Sequence, residues 1–390
     1  MSQNILYIGS IVNTLIEHEY ELEYYSMAGV NKKRGIIKSL HSAGANTTIV
    51  SPILVNNNNF NYHAKKDIFD EDLESILRIP ATVDIYALNY LFLFISSIIT
   101  TIKLTYKNDY DAIIFYDFQL ETALPAFLGS ILCQGSLILE YEDGLFYSDN
   151  FIIKSSAIIL RRLIGPFVDG AVCVNQPLSN LIPTNNTTIV RGFPSIGMPD
   201  ELPEPTYNQE ATIVMFAGKF DRVRGIDMFL DVASNVDIKQ KNTIFWISGY
   251  GADSELNRIK TRVEKLADNR FVYFGTLPWD EYRRRVVSAD ILVNFQDPSH
   301  NISKYTFPSK LLDFMSAGSI VVSTDMSDLR NRFSDKLVIS EKSGEELSKV
   351  LTSVIIGEED FQQKRCQSQK WVKEECSYTT VGNKILGLIN

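Results

Sequence analysis

Cysteine and histidine are scarce, with four of each in 390 residues. Cys133, Cys173, Cys366 and Cys376 form no C-x-x-C pair, and the histidines do not cluster with them. Neither a zinc site nor a disulfide framework is therefore expected. Reduced, mostly buried thiols in a cytoplasmic protein are the plain reading. Positive charge is short as well: 38 Lys and Arg face 47 Asp and Glu, a net charge of −9. Nucleic acid is not expected as a partner, because it demands a basic footprint. The opening residues Met1–Ser10 lack a basic n-region and a signal-type apolar segment. No G-x-G-x-x-G follows the first apolar run, which disfavours a nicotinamide oxidoreductase.

What is present is an alternation of short β-type runs and helical stretches. Asn4–Ile8 reads as a strand ending at Gly9, Lys32–Ala43 as a helix and Thr47–Ser51 as a strand. Asp111–Tyr116, Ser136–Glu140, Ala171–Asn175 and Thr188–Arg191 extend the strand series, with a helix near Glu121–Leu132. The rhythm predicts a parallel sheet covered by helices on both faces. Residues 197–210 interrupt it with three prolines and four acids, and read as an interdomain linker. The rhythm then restarts with strands at Thr212–Ala217, Thr243–Ser248, Phe271–Phe274, Ile291–Phe295 and Ile320–Ser323. Two α/β, Rossmann-like, doubly wound domains facing a central cleft are expected, since 390 residues exceed one ordinary core. They span 1–196 and 211–369, and 370–390 reads as a final helix. Asn56–Asn59 reads as a loop.

Two stretches raise a membrane question. Ile85–Ile102 is uncharged and near the roughly 20 residues of a spanning helix. Its Asn89, Ser96, Ser97, Thr100 and Thr101 argue instead for a largely buried helix, with a helix lying on a bilayer as the alternative. Phe151–Phe167 combines an apolar face with Lys154, Arg161 and Arg162. It suits an anionic surface or, equally, a core helix with a basic edge.

The chemistry-bearing candidates lie at strand ends. Gly218 is followed by Lys219, Arg222 and Arg224 just before a helix start, an arrangement that holds anions. Alone it would read as a solvated basic loop. Lys310 and Asp313 sit three apart on the helix after Pro308, where a cation and a carboxylate can serve a phosphate and a ribose diol. Alone they would read as a surface ion pair.

Several runs occur together in one order: Phe216-Ala-Gly-Lys219 with Arg224, Trp246-Ile-Ser-Gly-Tyr-Gly251, Val272-Tyr-Phe-Gly275 and Ser288-Ala-Asp-Ile-Leu-Val-Asn294. Phe307-Pro-Ser-Lys-Leu-Leu-Asp-Phe-Met-Ser-Ala-Gly318 and Ile320-Val-Val-Ser-Thr324 complete the series. In this order the second half resembles family 4 retaining glycosyltransferases of the GT-B fold, of the bacterial surface-polysaccharide type. The first half matches only in outline, through Phe167–Val172 and Thr188–Pro194. The resemblance implies a nucleotide diphosphate sugar as donor, a glycan acceptor and transfer with retention, and a surface contact through Phe151–Phe167 would bring the chain to a polyprenyl-linked glycan at the inner membrane surface. It assigns Lys219 and Arg224 to the diphosphate, Asp313 to the ribose, and Lys310 to a lysine carried by a Phe-Pro-Ser-Lys variant. Gly218, Gly249, Gly251 and Gly275 match positions where backbone approaches the nucleotide. Of the family's two glutamates separated by seven residues, the second falls on Asp313 and the first on Tyr305, so the carboxylate meant for the donor sugar is absent. Asp297 is a substitute candidate, and His300 a minor one.

With three cations available for the diphosphate, no metal and no other cofactor are expected. The first domain should hold the acceptor. Strand Ser136–Glu140 runs into Tyr141-Glu142-Asp143-Gly144, and Glu142 or Asp143 can orient the acceptor hydroxyl or accept its proton. An Asp-Gly turn is the ordinary alternative, and Asp117 is a weaker candidate. Competing readings are a catalytically silent partner subunit, motivated by Tyr305, a sugar-nucleotide epimerase and a glycan phosphorylase.

Overall fold

The computed structural model describes residues 2–20, 27–55, 61–83, 85–148, 150–207, 211–236, 242–341, 344–357 and 360–389. Asn56–Asn59 lies outside them. The chain divides into two compact units, Met1–Phe193 with Cys376–Asn390, and Pro194–Glu375.

The first unit runs β1 (Asn4–Ile8), α1 (Thr14–Glu19), α2 (Met27–Ser42), β2 (Asn46–Val50), β3 (Tyr62–His63), β4 (Lys66–Asp70), β5 (Ser75–Ile79) and β6 (Thr82–Val83). It continues α3 (Tyr86–Lys107), β7 (Ala112–Tyr116), α4 (Leu120–Cys133), β8 (Ser136–Tyr141), α5 (Phe151–Ile164), β9 (Gly170–Cys173), α6 (Gln176–Ser179) and β10 (Thr187–Ile189). Eight strands form one sheet in the order β10-β9-β8-β7-β1-β2-β5-β4, and β3 and β6 form a separate ribbon. Every described pair in the large sheet is parallel except β4 with β5 at the edge. The middle strands are uninterrupted apolar runs because helices cover both faces: every residue of β7 is buried.

The second unit runs β11 (Thr212–Lys219), α7 (Ile226–Ser234), β12 (Thr243–Tyr250), α8 (Asp253–Leu266), β13 (Phe271–Gly275), α9 (Trp279–Ser288), β14 (Ile291–Asn294), α10 (Asn301–Tyr305) and α11 (Lys310–Ala317). It ends with β15 (Ile320–Thr324), α12 (Leu329–Phe333), β16 (Val338–Ser340), α13 (Gly344–Ile356) and α14 (Gln362–Glu375). Its six strands are parallel in the order β13-β12-β11-β14-β15-β16. The core between sheet and helices is aromatic, with Phe216, Phe229, Phe245 and Phe295 buried together.

Three details differ from the sequence expectation. Residues 197–207 do not form a free linker, and 208–210 lie outside the described residues. The segment is bound to the second unit: Ser316 Oγ donates to the Gly197 carbonyl at 2.7 Å, and Tyr207 donates to Glu281 at 2.6 Å. The final helix is two helices. α14 belongs to the second unit, and α15 (Tyr378–Leu386), capped by Ser377, belongs to the first. The stretch 85–102 is the cap residue Ile85 and most of α3, which is not largely buried. Asn89, Ser97, Thr100, Thr101 and Thr105 are buried, whereas Leu88, Leu91, Phe92, Ile95 and Ile99 are exposed.

In the first unit α15 packs on α2, with Val381 and Ile385 in the core beside Ile36 and Leu40. The approach depends on Gly382, where a Cβ would come within 2.0 Å of the Ser39 carbonyl oxygen. Gly382→Ala should therefore destabilise the first unit by about 1–3 kcal/mol, the usual cost of overpacking. At Gly344 a Cβ would meet nothing within 4 Å, so Gly344→Ala should leave stability unchanged. Denaturant unfolding of both variants checks the contrast.

Candidate functional site

In the second unit the parallel register aligns the carboxyl ends of three strands. Gly218 lies opposite Gly249, and Ser248 opposite Gly275. These ends are tied across the sheet: Thr276 Oγ1 donates to the Gly249 carbonyl and Ser248 Oγ to the Gly275 carbonyl, both at 3.1 Å. A Cβ on Gly249 would sit 2.1 Å from the Gly218 oxygen, so no side chain fits there. Gly251 follows beside the Phe220 carbonyl.

The turn 220–225 carries the cations. Asp221 Oδ1 accepts the Arg224 N–H at 2.7 Å and so shapes the turn. Arg224 Nη1 donates to Gln296 Oε1 at 2.9 Å, which fixes a half-buried guanidinium. Lys219 is exposed, with its ammonium 3.8 Å from Asp221. Gly225, at φ +86°, caps α7 where a Cβ would strike the Phe295 carbonyl at 1.9 Å. Lys310, the first residue of α11, reaches under this turn. Its Nζ lies 3.4 Å from the Ala217 carbonyl and 4.8 Å from the centre of the Phe216 ring. Burial first, and then the Arg224 charge, draw the Lys310 pKa down to about 7. Gly218, Lys310, Arg224 and Lys219 thus gather at the end of β11. Asp221 and Gln296, which hold this group, were not singled out by sequence, because an Asp and a Gln in loops carry no motif of their own.

Asp313 is placed differently from its sequence expectation. It is 6% exposed. Its Oδ1 accepts the backbone N–H of Ser195 at 2.6 Å and of Ile196 at 3.1 Å, and its Oδ2 accepts Ser195 Oγ at 2.8 Å. Burial nevertheless raises its pKa to about 6. Tyr305 ends α10, with the Lys304 ammonium 5.1 Å from its ring centre. Asp297 accepts Ser299 N and Oγ, the turn-forming use of a loop acid, and His300 caps α10.

In the first unit the ends of β1, β7 and β8 bring together a second polar group. Tyr7 donates to Glu140 Oε2 at 2.7 Å, and Tyr116 donates to Asp143 Oδ2 at 2.8 Å. Asp117, buried at φ +49°, accepts the N–H groups of Glu142 and Asp143 at 3.2 Å each. From α2, Lys32 lies 3.8 Å from Glu142 Oε2, and Lys33 stands 4.2 Å over the Tyr116 ring. Both lysines are buried. Lys32 Nζ, Glu140 Oε1 and Glu142 Oε2 have no hydrogen-bond partner among the described residues. Burial and the neighbouring Asp143 and Glu140 raise the Glu142 pKa to about 7, against the pull of Lys32. Burial also raises Glu140 and lowers Lys33. Asp143 and Gly144 do turn the chain, with Gly144 at φ +51°. The turn and the placement of Asp143 against Tyr116 occur together. Lys32, Lys33, Glu140 and Tyr116 were missed by sequence; the one available signal was a lysine pair on a helix that is otherwise buried. Among the described residues there is no group of three or more His, Cys, Asp or Glu suited to hold a metal ion.

Two Rossmann-like units in one chain define a GT-B-type fold. Residues 211–363, in the second unit, match the sequence family described as Glycosyl transferases group 1. Sucrose-phosphate synthase from Thermosynechococcus elongatus is similar in structure, with a TM-score of 0.70 and 12% identity over 98% of this chain and 97% of that one. Anabaena HepE in complex with UDP gives a TM-score of 0.67 and 11% identity, covering 99% and 98%. The lipopolysaccharide outer core galactosyltransferase WaaB gives 0.66 and 15%, covering 99% of each chain. No curated protein sequence matches the chain.

The geometry at Asp313 yields a test. Asp313→Ala removes the acceptor for three donors in a buried setting, so a loss of about 2–3 kcal/mol is expected. Amide exchange at Ser195 and Ile196 should accelerate in parallel. Unchanged protection at those two amides would show that the carboxylate does not hold this segment.

Proposed function

We propose that this protein is a metal-independent glycosyltransferase. It moves a sugar, with retention, from a nucleotide diphosphate donor bound by the second unit to a glycan acceptor bound by the first. The observation that carries the reading is the group of cations at the end of β11: Lys219, Arg224 and Lys310 stand beside Asp221 as their one described acidic partner. Breaking the bond between the anomeric carbon and the diphosphate leaves negative charge on phosphate oxygens. Preorganised cations and the free N–H groups at the start of α7 stabilise that charge. A Lys310 ammonium destabilised by burial and by Arg224 regains a partner when the anion arrives. Gly251 and Gly275 leave room for the nucleotide along the strand ends, and Gly249 lets the ends of β11 and β12 close on each other beside it.

Asp313 acts, in this reading, by holding Ser195–Ile196 against α11 rather than by touching the ribose. Tyr305 takes the place of the sugar-binding carboxylate and offers a hydroxyl in its stead. In the first unit Glu142 receives the proton of the acceptor hydroxyl as the new bond to the anomeric carbon forms, and Asp143 orients that hydroxyl. A glycan on a polyprenyl carrier, met at the cytoplasmic face of the inner membrane, is the acceptor class we propose. A catalytically silent partner subunit is the second reading, favoured by Tyr305 alone. Absence of both transfer and nucleotide binding across a panel of UDP- and GDP-sugars would select it.

Arg224→Ala should lower kcat/KM about 100- to 1,000-fold with an unchanged unfolding curve, as for loss of one electrostatic donor. Glu142→Gln should suppress transfer while nucleotide affinity persists. Wild-type turnover in Arg224→Ala would end the diphosphate assignment.

The pH dependence has a definite sign. Lys310 carries its proton below about pH 7 in the free protein, so affinity for a nucleotide diphosphate is level there. Above that pH, binding must take up a proton and affinity falls. Calorimetry at about pH 8 in buffers of differing ionisation enthalpy should show proton uptake, absent in Lys310→Met.

A further inference from the structure

The helices α3, α4 and α5 form one layer of the first unit: α3 packs on α4, and α4 on α5. The α3–α4 contact is close, since a Cβ on Gly129 would come within 2.8 Å of Thr101 Cγ2. α3 is inverted relative to a helix facing water. Its inner face carries Asn89, Ser97, Thr100, Thr101 and Thr105 beside the buried Leu93 and Leu104, and the hydroxyls of Ser97 and Thr101 have no hydrogen-bond partner among the described residues. Its outer face carries Leu88, Leu91, Phe92, Ile95 and Ile99 at three- and four-residue spacing, a single stripe. An inner face made mostly of small polar residues beneath an outer face of large apolar ones is the pattern of a helix whose surroundings are less polar than its neighbours. α5 repeats the exposure. Phe151 and Ile152 are 79% and 77% exposed, and Ile159 and Leu163 continue along the helix. On α4, Ile131 and Leu132 are exposed.

Charge selects among occupants. The three helices carry Lys103, Lys107, Lys154, Arg161 and Arg162 against the single acid Glu121, in a chain whose net charge is −9. Lys103 and Lys107 continue the stripe of Ile95 and Ile99 at four-residue spacing, with Tyr106, 89% exposed, beside them. A second copy of this chain would place the same patch against itself in a two-fold dimer and set these cations face to face. An anionic bilayer complements both the stripe and the charges. We propose that the outer face of α3, α4 and α5 docks on an anionic phospholipid bilayer, with the apolar stripes in the acyl boundary and Lys103, Lys107 and Arg162 at the headgroups. The surface stands independently of the transferase reading, because lipid binding is read without donor or acceptor.

Flotation of the full chain with vesicles tests it, using phosphatidylcholine mixed with phosphatidylglycerol against phosphatidylcholine alone. The chain should float with the anionic vesicles and partition at least about tenfold less onto the neutral ones. Phe151→Ser with Ile152→Ser, and separately Ile95→Ser with Ile99→Ser, should each weaken anionic binding about tenfold or more. These side chains already face out, so the circular dichroism spectrum should not change. Lys103→Glu with Lys107→Glu should weaken anionic binding by a similar factor. A chain that stays in solution with anionic vesicles would overturn the proposal. So would variants that float like the original, or a dimer in size exclusion that the serine variants dissociate, which would assign the face to a second copy.

Discussion

The second unit depends on two approaches of backbone to backbone that leave no room for a side chain. At Gly249 the chain passes the Gly218 carbonyl, and at Gly225 it passes the Phe295 carbonyl. The first contact brings the ends of β11 and β12 together, and the second seats the start of α7 beside the end of β14. Between them lies a short turn whose shape is set by Asp221 and in which Arg224 is held half-buried. Arg224 is fixed by Gln296, and Lys310 is brought in from another helix to lie over Phe216. Like charges are thereby gathered without a matching set of acids. Such an arrangement costs folding free energy unless a multivalent anion relieves it.

The first unit shows the opposite electrostatic arrangement. Asp117, Glu140, Glu142 and Asp143 crowd the ends of β7 and β8, and among the described residues the lysines that approach them are Lys32 and Lys33. Tyr7 and Tyr116 each give their hydroxyl to one of these acids, which keeps Glu140 and Asp143 oriented. An excess of carboxylates suits a ligand rich in hydroxyl donors and repels a diphosphate. This contrast in charge between the two units supports the proposed division between donor and acceptor.

Much of this architecture was legible because its strands are buried on both faces. Ala112–Tyr116 and Ile291–Asn294 are continuous apolar runs bounded by polar residues, and such runs have few alternatives to a central strand. The edge strand Lys66–Asp70 and its neighbour Ser75–Ile79 are not legible in the sequence, because each alternates buried with outward-facing positions and the charged residues mask that alternation. The glycines and cations of the second unit were legible because they lie within a few residues of strand ends. The lysines of the first unit were not. Lys32 and Glu142 are brought together by tertiary packing alone, and a lysine on a helix reads as solvated until its neighbours are known.

Asp313 and α3 show where residue type alone leaves two uses open. The family resemblance assigns the carboxylate at 313 to a ribose, and the same carboxylate accepts three donors of the chain segment entering the unit. For α3, composition established that the helix is apolar with a polar minority, from which a buried helix follows if the apolar majority faces inward. The partner helix α4 bears on the outcome: at its Gly129 the small side chains of Thr101 and Thr105 pack close, and Leu88, Leu91, Phe92, Ile95 and Ile99 lie on the opposite, exposed side. That exposed apolar face needs a partner of its own to lose its contact with water.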